Sequence, residues 1–242
     1  MHIDCYHKMY ETEEEHWWFR GKFAIALMLL ARAKAPGKRV LDIGCGTGLF
    51  SKLLMEKGYE VTSLDSSPVA LDYSRRRGLA RLVTGDALKL PFPDNSFDVA
   101  FALDILEHIE DEDAALREWK RILKPNGVLI VFVPTFSFLW GPQDEKLEHK
   151  RRYIKESLRR KLESFLFVEK ISYFNTLLFL PVLWSRYLFR LFPRLLKNKD
   201  ELDMTSKGLN FFLGLIFSFE KIYLTKFSFP FGVSLLSVSR KK

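Results

Sequence analysis

Between Lys38 and Val133, short apolar runs alternate with stretches in which apolar residues recur every three or four positions. That alternation is the pattern of βαβ units around a parallel sheet. Strands are expected at 39–43, 60–65, 81–84, 97–102 and 127–133. The helices between them carry start and stop signals. Ser67-Pro68 reads as an N-cap followed by proline at the first helical position, opening a helix through Arg77. Another helix runs from about Asp111 to Leu123, with its acids in the first turn and Lys120, Arg121 and Lys124 near the last; Pro125-Asn126-Gly127 ends it. Beyond the fifth strand, residues 154–165 read as a helix with Leu158, Leu162 and Phe165 on one face, followed by a strand at 167–172 and a last strand at 233–239. Residues 174–230, between those last two strands, far exceed a hairpin connection and are an insertion.

Length changes this picture little: 242 residues fit one core with decorations. The expected division is an N-terminal helical segment, 1–35, a core made of 36–173 with 231–242, and the insertion, 174–230. Composition adds more. Most of the 22 Phe residues lie in the second half of the chain, and the insertion is rich in apolar residues without any run near the roughly 18 that span a membrane. Arg186, Arg190, Arg194 and Lys197 are spaced to share one helical stripe, which Pro193 can kink. Basic residues beside aromatics and leucines fit helices lying on an anionic membrane face; a cap over the core or a dimer interface explains the same pattern. A net charge of +8 favours anionic partners without choosing among nucleic acid, phosphorylated metabolites and acidic membranes. Cys5 and Cys45 give neither a disulfide framework nor metal-ligand spacing, and no metal is expected. The N-terminal residues are acidic and lack the apolar stretch of a signal peptide, so a cytosolic protein, or one on the inner face of a membrane, is expected.

The chemistry gathers after the strands. Val40-Leu41-Asp42-Ile43-Gly44-Cys45-Gly46-Thr47-Gly48-Leu49 sets a buried strand before a glycine loop and a helix. Glycines permit a tight turn and let backbone N–H groups approach a ligand. The spacing is D-x-G-x-G-x-G, and Leu49 stands where the dinucleotide fingerprint needs its third glycine, which disfavours a pyrophosphate site. Asp65, at the end of the second strand, can accept both hydroxyls of a ribose, and Asp86, after the third, suits an exocyclic adenine amine. A helix N-cap is the alternative for each acid.

Together these residues resemble the class I S-adenosylmethionine-dependent methyltransferases over roughly residues 38–133. The resemblance implies a Rossmann-like, seven-stranded, mostly parallel sheet whose last strand is antiparallel beside the fifth. It implies that the loop 42–48 holds the methionine end of S-adenosylmethionine (SAM), that Asp65 binds the ribose and that Asp86 binds the adenine amine. The expected cofactor set is Arg20, Asp42, Gly44, Cys45, Gly46, Asp65, Ser66, Asp86, Ala87 and Leu103. The segment from Asp94 to Val99, then Leu106-Glu107-His108-Ile109, looks like the family's strand-four region. His16-Trp17-Trp18-Phe19, ahead of a helix at 23–33, and Glu148-His149-Lys150-Arg151-Arg152-Tyr153 are similar to segments of a subgroup associated with cell-surface glycan and lipid biosynthesis. The aromatics are either a lid over the cofactor or packing on the core.

Methyl transfer from a sulfonium needs alignment more than acid–base work, since the leaving thioether is neutral. A base helps if the acceptor must lose a proton. His108 and His149 stand on the ligand-binding side of the sheet, with Tyr153 as a weaker candidate. Lys150, Arg151 and Arg152 either hold an anionic acceptor or form a solvated face. The expected acceptor is a small lipid-, quinone- or glycan-type molecule. RNA methylation is the first rival, but Ala102-Leu103-Asp104-Ile105 lacks the Asn/Asp-Pro-Pro-aromatic stretch of amino-methylating nucleic-acid enzymes. A non-catalytic SAM-binding scaffold is the second.

Overall fold

The computed structural model describes residues 3–192 and 203–242. Seven strands form one sheet: β1 (Arg39–Ile43), β2 (Glu60–Asp65), β3 (Leu82–Thr84), β4 (Phe97–Leu103), β5 (Leu123–Pro134), β6 (Phe167–Phe174) and β7 (Ser234–Arg240). Their order is β3-β2-β1-β4-β5-β7-β6, with β7 antiparallel to both neighbours and the other pairs parallel. The last strand therefore enters beside β5, as the resemblance implied. The central strands β4 and β5 read as nearly unbroken apolar runs because helices cover both their faces. One boundary differs from expectation. Pro125-Asn126-Gly127 does not end a helix in a loop; it lies within β5, where the register to β4 shifts between Phe97 and Val99 and Asn126 takes a φ of 64°.

The helices are α1 (Ile3–Thr12), α2 (Trp17–Arg32), α3 (Leu49–Glu56), α4 (Pro68–Arg76), α5 (Glu112–Ile122), α6 (Pro142–Lys146), α7 (Lys155–Glu163), α8 (Phe179–Leu191) and α9 (Lys207–Leu224). Ser67 and Asp111 cap α4 and α5 by accepting from the Ala70 and Ala114 N–H groups, the satisfaction of orphan donors that their sequences promised. The helix expected at 23–33 begins earlier, at Trp17, because His16 accepts from the Trp18 N–H at 3.2 Å and caps it. In the insertion, α9 lies along α2. Gly21 lets them close: a Cβ there would sit 2.3 Å from Cδ1 of the buried Phe217. α8 packs beside the single turn at Ser137–Leu139. Arg194 and Lys197 of the expected cationic stripe lie outside the described residues.

Candidate active site

A cavity of about 1340 Å³ opens at the carboxyl ends of the strands, where ligands of open α/β sheets bind. Gly44 and Gly46, in the turn between β1 and α3, line it with φ values of 70° and 55°. The Gly46 N–H donates to Asp65 Oδ2 at 2.9 Å, and Asp65 Oδ1 accepts from the Ser67 N–H at 2.9 Å. The acid at the tip of β2 thus ties the glycine loop to the start of α4. Burial raises the pKa of Asp65 while these backbone hydrogen bonds pull it down. A carboxylate has about four acceptor positions, so acceptor capacity remains for a ligand.

Of the other expected cofactor residues, Ser66, Asp86, Ala87 and Leu103 also line the cavity. Asp86 is exposed and its Oδ1 accepts from the Leu88 N–H at 2.8 Å within a turn; no helix starts there, so the helix N-cap alternative does not describe it. Asp42, Cys45 and Arg20 do not line it. Asp42 is turned beneath the loop, where Ser51 Oγ donates to it at 2.7 Å and receives in turn from Ser63 Oγ at 2.7 Å. Burial pushes its pKa up to about 6. The Cys45 thiol faces Gly46 O and Ser74 Oγ, and Arg20 is exposed on α2.

His16, Trp17, Trp18 and Phe19 line the cavity and pack as well. Trp18 stacks on Phe174 at 6.0 Å, and Trp17 meets Phe217 edge-on at 5.4 Å. Ahead of them, α1 brings Tyr6 and Met9 over the glycine loop. It is held there by buried Arg77, whose Nη2 donates to Glu13 at 2.9 Å and whose Nε donates to Thr47 O at 3.0 Å. Thr47 Oγ1 also donates to Glu13.

A second, polar end of the cavity assembles from residues far apart in sequence. His108, after β4, and His149, after α6, stand with ring centroids 4.7 Å apart. Asp144 Oδ1 is 2.8 Å from His149 Nδ1, and Arg152 reaches both Asp144 oxygens at 2.8 Å. Burial pushes the Asp144 pKa up, but the His149 and Arg152 bonds outweigh it and hold the carboxyl at about 2. Burial, then His149, lowers His108 to about 4. Buried Glu107 sits 3.9 Å from His149 Nε2, and burial followed by Asp104 raises its pKa strongly. Lys22 is bonded to Asp104 at 2.7 Å, and both line the cavity.

Tyr153 does not line the cavity; its hydroxyl donates to Glu112 Oε1 at 2.6 Å, and burial with that bond raises its pKa, so the structure does not bring it to the ligand side with the two histidines. Nor is the basic run 150–152 an open anion cradle, because Lys150, Arg151 and Arg152 pair with Glu110, Glu112 and Asp144. Sequence reasoning missed Lys22, Asp104, Glu107 and Asp144. The Glu107-His108 pair directly after a strand, and an acid five residues before His149, were the only local signals.

Residues 41–131 match the family described as "Methyltransferase domain". Over these residues the chain is similar to SAM-dependent methyltransferase domains. Among curated proteins, the domain is similar to the malonyl-[acyl-carrier protein] O-methyltransferase of Serratia marcescens, 41% identical over 39% of this chain and 38% of that one. It is also similar to the demethylmenaquinone methyltransferase of Renibacterium salmoninarum, 40% identical over 43% of this chain and 45% of that one. The chain thus spans less than half the length of these curated relatives. A solved SAM-dependent methyltransferase from Archaeoglobus fulgidus shares the domain's fold at a TM-score of 0.58, with 20% identity over 90% of this chain and 92% of that one.

Proposed function

We propose that the protein transfers a methyl group from SAM to a small lipid- or quinone-type acceptor. The observation that carries the reading is one cavity joining two different linings. At one end are the glycine loop and the acids of β2 and β3; at the other, aromatic and aliphatic side chains of α2, α8 and α9, among them Trp17, Trp18, Val182 and Leu213. The volume exceeds what one drug-sized ligand needs and leaves room for a cofactor and an acceptor together.

The residues fit SAM. Gly46 faces open space, where a Cβ would meet only Met9 Cε at 3.8 Å, so the loop backbone is free to approach a ligand. The loop would hold the methionine end, Asp65 the ribose hydroxyls and Asp86 the adenine amine, with Ser66, Ala87 and Leu103 alongside. Bound there, the cofactor supplies an electrophilic methyl on a sulfonium. The chain's own contribution is to align the acceptor, exclude water behind the α1 and Trp17-Trp18 cover, and receive the acceptor's polar end at His108 and His149. Asp144 holds the His149 ring through Nδ1, which leaves Nε2 on the side of Glu107. One relative is named for a quinone substrate, and an acceptor with an apolar body and a polar head suits the two ends of this cavity.

The tests are two. Calorimetry with SAM is expected to show binding by the intact chain and at least tenfold weaker binding by Asp65→Ala, since roughly 1.4 kcal/mol corresponds to tenfold and each bond to a charged group is worth about that or more. Labelled SAM offered to lipid, glycan and RNA fractions should mark the lipid extract. Label found only in RNA transfers the function to nucleic acid, and SAM binding without any transfer makes the protein a scaffold.

A further inference from the structure

The polar end of the cavity holds buried polar atoms without hydrogen-bond partners. Glu107 is 0% exposed, yet neither of its carboxylate oxygens has a hydrogen-bond donor. His149 Nε2 is likewise buried without a partner, 3.9 Å from Glu107 Oε1. One ligand atom each from Glu107, His108 and His149 lies within 4.8 Å of the other two. The cations that flank this trio are committed elsewhere: Lys22 is bonded to Asp104, and Arg152 is spent on Asp144 and the Thr135 carbonyl. A buried carboxylate without a hydrogen-bond donor is strongly destabilising when charged; such a group is kept neutral, which the raised pKa of Glu107 reflects in the metal-free protein, or is paired or bound to a metal.

We infer that Glu107, His108 and His149 form a site for one divalent cation of the zinc or manganese kind, with its remaining coordination positions open to the cavity. Two imidazoles and one carboxylate are a ligand set suited to zinc and to first-row transition ions, and three protein ligands leave a position for a substrate oxygen. The supporting contacts are those that metal-binding histidines use. His149 gives its other nitrogen, Nδ1, to Asp144, which is itself held by Arg152 and by the Gly141 N–H at 2.7 Å. His108 is hydrogen-bonded to the main chain of Glu148, a residue kept at a φ of 59°. Bonds of about 2.1 Å to a tetrahedral ion would bring the three ligand atoms, which lie within 4.8 Å of one another, to about 3.4 Å apart. In this role His149 would help to hold the cation, which would offer an open position to an acceptor oxygen; that last role rests on the methyltransferase reading above.

The test uses the full chain, freed of metal by a chelator and titrated with Zn2+ or Mn2+ in a calorimeter and in thermal melts. One equivalent is expected to bind, with a rise in Tm at saturation. Glu107→Gln and His108→Ala are each expected to weaken binding at least tenfold and to lose that rise, whereas His7→Ala, at an exposed histidine of α1, behaves as the unchanged chain. Glu107→Gln keeps the shape and removes the charge, so its metal-free Tm is expected to be no lower than that of the unchanged chain. A structural role for the carboxylate would give the opposite sign. Co2+ in place of zinc adds a visible absorption band that His108→Ala should abolish. No saturable binding of either ion, or equal binding by the variants, overturns the site. SAM binding measured without metal separates the two readings: SAM bound and no metal bound sinks this inference alone, and metal bound without SAM sinks the methyltransferase reading while leaving the site.

Discussion

Asp42 shows how a residue can serve a ligand loop without touching the ligand. Its carboxylate is 3% exposed beneath the glycine turn and is held by Ser51 on α3, with Asp65 and Lys22 as the charged groups that act on it. Burial raises its pKa from 3.8 to about 6. Below about pH 4 the group is protonated whether the chain is folded or not. Between about pH 4 and pH 6 the unfolded chain ionises first, so stability falls as pH rises through that window, and above it the loss is complete. Two units correspond to about 3 kcal/mol. Asp42→Asn keeps an acceptor for Ser51 and removes the charge. It is expected to match the unchanged chain at pH 4 and to exceed it by about 1–3 kcal/mol at pH 7 in urea unfolding. A gap between the two that does not change from pH 4 to pH 7 would show that Asp42 is not ionised by burial-limited titration.

At the scale of elements, the sheet was legible because buried parallel strands are short apolar runs, and the α4 and α5 starts because their caps are local chemistry. α1 was expected only as an undivided helical segment, since its placement depends on Glu13 meeting Arg77 and Thr47 rather than on an apolar stripe. The polar end of the cavity escaped for a related reason: Glu107 and His149 are 42 positions apart and are joined only by the β4–β5 geometry. The corner from β6 into α8 is another contact of this long-range kind. Glu220, buried on α9, accepts the N–H groups of Asn175, Thr176 and Leu177 at 2.6, 2.7 and 2.8 Å. One carboxylate therefore anchors the start of the insertion to its second helix. Glu220→Ala leaves three donors without an acceptor and is expected to cost about 2–4 kcal/mol. The loss should be local, read as faster amide hydrogen exchange at Asn175, Thr176 and Leu177 with β4 and β5 still protected; unchanged exchange there would remove Glu220 from this role.

For the whole molecule, the question is what the insertion faces. No described helix is long and apolar enough to cross a membrane. Yet α8 leaves Leu180, Trp184, Tyr187 and Leu191 exposed at spacings of four, three and four, and α9 does the same with Phe211, Leu215, Phe219 and Ile222. Leu180 and Phe211 are each 69% exposed, and side chains of both helices line the cavity that would take the acceptor. With a net charge of +8 on the chain, the occupant proposed for these stripes is an anionic lipid surface, from which an amphiphilic acceptor reaches the site without crossing water. A second copy of the chain covering the same stripes is the competing outcome. Flotation of the full chain should therefore carry it upward with vesicles containing phosphatidylglycerol and leave it behind with phosphatidylcholine alone. A variant combining Trp184→Ser, Phe211→Ser and Phe219→Ser removes three large side chains, each worth about 1.5–3 kcal/mol if fully buried. Even partial burial makes the expected fall in partitioning a hundredfold or more, while the thermal melt stays where it was because all three are exposed. Equal flotation of the variant, or none by the unchanged chain, rejects the lipid surface, and a dimer in sedimentation that the variant dissolves would assign the stripes to a second copy.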